Sequence, residues 1–182
     1  NGADAIYAGL ADVSVPSRKL AALRETLVGL GDRADSARVR AAIAGFATGE
    51  SASSVAAIRP RIDAWFAHGR MDDILTILQR DGSELARSIL KILNEKSPRG
   101  LVVTLKLLRL ARASATLEEC LAREYRAALA VFASDDFREG VRAAIIDKDR
   151  NPKWSPAAIH DVTPEMIAPY FANAGADELV FN

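Results

Sequence analysis

Apolar residues recur three and four positions apart along nearly the whole chain, which is the spacing of one face of an α-helix. Leu20, Leu23, Leu27 and Leu30 form a first stripe, and Val39, Ile43 and Phe46 a second. Ile58, Ile62, Trp65 and Phe66 follow, then Met71, Ile74, Leu75 and Leu78, then Leu85, Ile89, Ile92 and Leu93. Residues Leu101 to Ala111 are apolar almost all round and predict a buried central helix. Leu117, Leu121, Tyr125, Ala128 and Phe132 make the next stripe, and Phe137, Val141, Ala144 and Ile145 the last long one. One stretch breaks the pattern. In GLADVSVP, Gly9 to Pro16, Leu10, Val13 and Val15 alternate with other residues as in a strand, and Pro16 ends it. A lone strand cannot satisfy its own backbone, so this orphan segment is expected to belong to a sheet outside the chain.

Capping signals fall between the stripes. Ser97-Pro98, Ser155-Pro156 and Thr163-Pro164 each put a hydroxyl before a proline, where a missing N–H costs a helix nothing. Thr116 with Glu119, and Asp81 with Glu84, have capping-box spacing. The small polar run Gly49 to Ser54 is the expected hinge between an N-terminal helical layer and the rest. These signals predict an all-α fold of eight to ten helices in two layers, with one short extended segment near the N-terminus.

Composition narrows the choice of function. The 182 residues carry 24 basic and 24 acidic side chains, a formal net charge of zero. Nucleic-acid and anionic-membrane surfaces need a basic excess, so neither partner is expected. No apolar run is long enough to span a bilayer. Aromatics make up 6% against 49% for all hydrophobic residues, so Ala, Leu, Ile and Val must do most of the packing. The lone Cys120 excludes an internal disulfide and fits a reducing, cytoplasmic setting. The chain opens on Asn1 with a helical pattern already under way, and is expected to be a piece of a longer protein.

Candidate chemistry is sparse. Asp147-Lys148-Asp149-Arg150-Asn151 resembles the start of a calcium loop, but Pro152 stands where the turn needs glycine and Ala158 where it needs glutamate. Gly29-Leu30-Gly31 follows a helix stripe rather than a strand, so it reads as a helix end and not a dinucleotide fingerprint. His68 and His160 have no ligand partner at helical spacing, and no metal site is expected. Cys120 lies among apolar neighbours and reads as a core thiol. Arg99, Lys106, Arg109 and Arg112 read as a solvated stripe on the central helix. Glu124 sits by an apolar stripe, where an unpaired carboxylate is costly; Arg142 is its expected partner, clipping two helices together.

Three segments carry a resemblance: SPRGLVVTLKLL (Ser97 to Leu108), LEECLAREYR (Leu117 to Arg126) and DFREGVRAAIIDKDRNPKW (Asp136 to Trp154). Together they are similar to the C-terminal region of 3-hydroxyisobutyryl-CoA hydrolases in the crotonase (enoyl-CoA hydratase/isomerase) superfamily, and Gly2 to Leu20 resembles the end of that family's core. The resemblance implies residues 1–16 as the tail of a crotonase core, 17–95 as an inserted helical layer and 96–182 as a C-terminal helical region. It implies a hydrolase of acyl-CoA thioesters in valine catabolism. Its oxyanion hole and acidic catalytic residues lie in the absent core, so no catalytic residue and no cofactor is expected here, and this chain alone is expected to be inactive. Acyl-CoA would be the substrate of the whole protein. The helices would cover the active site and supply subunit contacts, and the core-facing surface would self-associate when bare. Lys148 would touch coenzyme A; Phe137 and Ile145 would fix their helix to its neighbours; Trp154 would fold back to anchor the loop. The alternatives are the C-terminal part of an enoyl-CoA hydratase/isomerase, or a free-standing helical interaction module.

Overall fold

A computed structural model describes residues 1–49 and 52–181. Each of the eight periodic stretches falls on a helix, and two short helices, the first and last, lie outside them: α1 (Gly2–Tyr7), α2 (Leu20–Val28), α3 (Ser36–Phe46), α4 (Ser54–Phe66), α5 (Met71–Asp81), α6 (Glu84–Asn94), α7 (Pro98–Ala111), α8 (Leu117–Ala133), α9 (Asp135–Val141) and α10 (Pro164–Ile167). No strand forms among the described residues, and the chain is all-α. Three expected caps are made. Ser97, Thr116 and Thr163 accept from the backbone N–H groups of Gly100, Glu119 and Met166, and start α7, α8 and α10.

Two expected caps are not. Ser83, not Asp81, caps α6 by accepting from Ala86 N. The Asp81 carboxylate instead accepts from Trp65 Nε1 at 3.1 Å, a partner sixteen residues away that no local spacing reveals. No helix follows Ser155-Pro156. The Ser155 N–H donates to Asp136 at 3.1 Å and its carbonyl accepts from Arg99 at 2.5 Å, so the segment is pinned as an irregular strap.

The chain divides into two compact units, Asn1–Ala64 and Trp65–Asn182, and the division falls within α4. The expected hinge from Gly49 to Ser54 lies partly outside the described residues.

In the first unit α2 packs on α3, yet neither helix buries a residue, and Ala3 is the buried apolar residue of this unit among those described. Asp4 ties α1 to the start of α4: its carboxylate accepts from Ser53 Oγ (2.7 Å), Ser54 Oγ (2.9 Å) and Val55 N (3.1 Å). Those donors, Val55 N first, hold its pKa down to about 2. Gly9, at φ +71°, lets the chain leave α1 through a left-handed residue. The segment after it is coil. Leu10 is 83% exposed, and Ser14 O accepts from Thr48 alone, from its N–H at 3.0 Å and its hydroxyl at 3.3 Å, which is no ladder. Among the described residues of this unit, none forms a strand that could pair with it.

The second unit holds the core. Trp65, Met71, Ile74, Leu78 and Ala86 are buried together, ringed by partly buried Leu75, Leu85, Ile89, Leu93, Leu101 and Leu105. Burying a side chain such as Leu78, which is fully enclosed, contributes roughly 1.5–3 kcal/mol. Helices α5, α6 and α7 close on this cluster, α8 packs on α7, and α9 on α8. The central helix is less enclosed than its sequence implies: Pro98 and Val103 are buried, but Leu108 is 66% exposed. The stripe on α8 is largely exposed, with Tyr125 half-buried. Ala127 faces inward, while Leu117, Leu121, Leu129 and Phe132 lie exposed. Amphipathic spacing marks an apolar face, and among the described residues much of that face stays exposed.

Candidate functional site

The site grows from the end of α9. Ser134 caps this helix by accepting from Phe137 N at 3.2 Å, and Asp135 and Asp136 occupy its first turn, where the helix dipole favours carboxylates. Asp136 turns inward and is 8% exposed. One of its oxygens accepts from Ser155 N and the other from the Ser97 hydroxyl, which also caps α7. The start of α7 thus meets a buried carboxylate, and its positive end offsets the burial of that charge.

After Val141 the helix widens into a π-turn, Arg142–Ile146, closed by Asp147 N donating to Arg142 O at 2.8 Å. Such turns often mark functional places in a helix. Arg142 here becomes a hub. Nε and Nη2 donate in parallel to Glu139 at 2.8 Å each, Nη1 donates to Asp147 at 2.6 Å and Asp149 at 2.7 Å, and Nη2 also reaches Asn151 O at 3.3 Å. Glu139 additionally accepts from Lys153 N at 2.6 Å, and Arg150 N donates to Ala143 O at 3.0 Å. Arg142 and then the Lys153 N–H hold Glu139 down to about 2. Asn151 N and then Arg142 lower Asp149. The surrounding carboxylates, Glu139 foremost, raise Arg142 above its ordinary range.

This fork clamps an unusual loop. Lys148 and Arg150 sit at φ +57° and +53°, in the left-handed region that side-chain-bearing residues avoid. Both are exposed. Beyond them Trp154 lies over Gly140, where an added Cβ would stand 3.3 Å from the indole, and its Nε1 donates to Glu95 O at 3.2 Å. Trp154, Gly140, Arg150, Asn151 and Lys96 border a cavity of about 530 Å3 beside the loop.

A second cavity of about 440 Å3 opens between α7, α8 and α9. Val103, Leu107, Ala127, Phe132, Phe137 and Tyr170 give it apolar walls. Phe132 and Phe137 meet edge to face, with centroids 4.8 Å apart. Glu124 lines this cavity and is exposed. The expected Glu124–Arg142 clip is therefore corrected: every guanidinium nitrogen of Arg142 is taken by nearer carboxylates on its own helix and the following loop. The anchoring role expected of Ile145 is also corrected, because that side chain is 64% exposed. Phe137 on α9 meets Phe132 on α8, although it stays partly exposed.

Three of the four basic side chains of the α7 stripe find partners. Arg109 donates to Phe66 O (2.7 Å) and His68 O (2.6 Å), Arg99 holds Ser155 O, and the Lys106 ammonium stands 4.2 Å from the centroid of the Phe171 ring. Arg112 alone of the four is exposed without such a contact among the described residues. His160 is exposed beside Asp161, Cys120 is half-buried, and no metal-ligating group of three or more forms among the described residues. No described helix is long and apolar enough to cross a membrane. Asp136 and Glu139 were not singled out from sequence. The spacing of Glu139 and Arg142, three apart on one helix, was the available signal.

The chain is similar to known proteins in sequence and in fold. Residues 1–171 match the family model described as enoyl-CoA hydratase/isomerase. The chain is 35% identical over 185 positions to 3-hydroxyisobutyryl-CoA hydrolase, mitochondrial, of Homo sapiens, covering 99% of this chain and 47% of that protein. It is 42% identical over 121 positions to the Bos taurus protein of the same name, covering 66% and 31%. Among solved structures, a carnitinyl-CoA dehydratase from Mycobacterium thermoresistibile superposes with a TM-score of 0.87 at 34% identity, over 100% of this chain and 50% of that one. An enoyl-CoA hydratase from Rhodobacter sphaeroides superposes at 0.83 and 35%, over 98% and 49%. The chain spans half or less of the length of these relatives. On the match over residues 1–171, the chain belongs to the enoyl-CoA hydratase/isomerase family.

Proposed function

We propose that this chain is the C-terminal helical part of an acyl-CoA thioester hydrolase acting on 3-hydroxyisobutyryl-CoA, in valine catabolism. It works with a crotonase core placed before it. The similarity to 3-hydroxyisobutyryl-CoA hydrolases over 99% of the chain carries this reading. The uncovered face of α8, with Leu117, Leu121 and Phe132 exposed, supports a covering role, since a core or a second subunit would remove it from water. In this reading the loop after α9 borders the coenzyme and Lys148 contacts it. The residues of this chain bind and shape the site; thioester attack and oxyanion stabilisation belong to the core.

A second reading, a hydratase of the same family, is favoured by the superposition on an enoyl-CoA hydratase and a carnitinyl-CoA dehydratase. One experiment separates them. This chain alone, and the same chain joined to its core, are assayed with 3-hydroxyisobutyryl-CoA for thiol release and with crotonyl-CoA for hydration. Thiol release by the joined protein and none by the chain alone is the expected result. Hydration without thiol release moves the assignment to the hydratase, and thiol release by the isolated chain rejects the covering role.

A further inference from the structure

Leu117, Leu121, Glu124, Ala128, Val131 and Phe132 stand three or four apart on α8, or beside such a position, and share one face of it. All are exposed, and Glu124 is the one that is not apolar. It lies within the stripe rather than at its edge. It also borders the 440 Å3 cavity between α7, α8 and α9, whose lining holds two carboxylates, Glu124 and Asp136, and no basic side chain. Asp136 is answered inside the fold by the Ser97 hydroxyl and Ser155 N. Glu124 has no ion pair and no hydrogen bond among the described residues. Its own helix offers no cation at the reach of a helical pair: the positions three and four away are Cys120, Leu121, Ala127 and Ala128. The arginines nearest in sequence turn elsewhere, Arg123 to Ser114 Oγ at 3.0 Å and Arg126 to Glu178 at 2.8 Å.

An apolar face of this kind gains by leaving water. Covering it also encloses Glu124, and a buried carboxylate is costly unless a cation meets it. That requirement sorts the occupants. A second copy docked by this face onto the same face, as a twofold contact demands, brings another Glu124 and no basic group. A wholly apolar partner strands the carboxylate. The occupant that fits is an apolar surface with one basic side chain among its contacts. The chain spans 47% of its human relative, so in a protein of that length more chain lies outside it than within it. A surface on that remainder is tethered and needs no encounter from solution.

We infer that this face of α8 docks on the core that precedes the chain in the proposed hydrolase, and that the core supplies one arginine or lysine that pairs with Glu124 inside the contact. The inference rests on the reading of the chain as the C-terminal part of such a protein, and adds which face is covered and what charge the cover carries. The leucines and Phe132 supply adhesion; Glu124 sets the register and excludes a second copy.

The test uses the chain joined to its core and follows amide hydrogen exchange over residues 117–132. E124K sets like charges together and is expected to speed exchange of that segment about tenfold or more, with residues 71–94 unchanged. E124L strands the core's cation and should also speed exchange about tenfold, although it extends the apolar face. A glutamate that only points into water gives the opposite pattern, with no change for E124K and equal or slower exchange for E124L. Should E124K not fold, E124Q keeps the shape without the charge and is expected to speed exchange about threefold. Unchanged exchange in E124L and E124Q overturns the inference. So does protection that rises with protein concentration in the parent and loses that dependence in E124K, because a second copy would then occupy the face. Thiol release from 3-hydroxyisobutyryl-CoA is measured on the parent joined protein. Release without any effect of the variants removes the docked pair and keeps the hydrolase reading; the effect without release does the reverse.

Discussion

Asp136 offers a sharp test of how the second unit is held together. It is a buried carboxylate with two protein donors, the Ser97 hydroxyl and Ser155 N, and it links the start of α7, the strap at Ser155 and the first turn of α9. Asp136→Ala strands both donors and removes the charge that faces the positive end of α7. A bond to a charged group is worth about 1.5–3 kcal/mol and a stranded buried donor about 1–3. The relief of no longer burying a charge offsets part of that, so a net loss of about 2–3 kcal/mol is expected. With a urea dependence of roughly 2 kcal/mol per molar for a domain of this size, the unfolding midpoint should fall by about 1–1.5 M. Asp136→Asn keeps one acceptor oxygen and should cost about half as much. Asp135 is the natural control: it pairs with Arg138 at 3.0 Å, but both side chains lie largely in solvent, so Asp135→Ala should barely move the midpoint. Urea titration followed by tryptophan fluorescence reads the relevant unit, since Trp65 and Trp154 both belong to it. A double-mutant cycle with Ser97→Ala should show coupling of about 1 kcal/mol or more. Coincident midpoints for Asp136→Ala and Asp135→Ala would refute the account.

Other consequences are equally open to measurement. Leu78→Ala hollows the cluster around Trp65 and Ile74 and should cost roughly 2–5 kcal/mol, read as a lowered urea midpoint; a change under 1 kcal/mol would mean that the cluster is not the core. Gly82 ends α5 at φ +61°, so Gly82→Ala should cost about 1–2 kcal/mol although the added carbon meets nothing closer than 3.9 Å. Glu139 is held at about 2 against an ordinary 4.5. Its contribution to stability is thus complete above pH 4.5 and drains away as pH falls toward 2. Glu139→Gln should remove that part of the acid sensitivity, and parallel acid-unfolding curves for the two proteins would contradict it.

The helices were legible because their information is local. The stripe from Met71 to Leu78 and the cap at Ser97 both depend on residues within two turns, and both appear as read. The failures share the opposite property. Asp81 has the spacing of a cap, but Trp65 claims it from the preceding helix. Ser155-Pro156 looks like a helix start, but Asp136 and Arg99 hold its backbone from nineteen and fifty-six residues away. Periodicity found the apolar face of α8 without telling whether this chain covers it. At the candidate site, Arg142, Phe137 and Trp154 could be picked out from the resemblance of the segment that carries them. The partner assigned to Arg142 was wrong because Glu139, Asp147 and Asp149 reach it without any helix-to-helix span.

A shared device explains how a protein so poor in aromatic residues keeps its irregular segments in place. At the turn after α4, Arg109 takes two consecutive bends of backbone, Phe66 O and His68 O. At the strap, Arg99 takes Ser155 O while Asp136 takes Ser155 N, so one peptide segment is gripped from two helices. In the loop between them, Arg142 takes Asn151 O together with its three carboxylates. Near the C-terminus Arg126 on α8 holds Glu178, which in turn accepts from Ala174 N. Aliphatic packing supplies adhesion between helices but has no direction, so it cannot specify where a non-helical carbonyl or N–H should point. A guanidinium fork can, because its donors are fixed in a plane and each demands an acceptor. The helices of this unit therefore owe their cohesion to Leu, Ile and Ala, and its connecting segments owe their shape to arginines spaced along those helices. A loop whose course is set in this way has little left to order on meeting a partner.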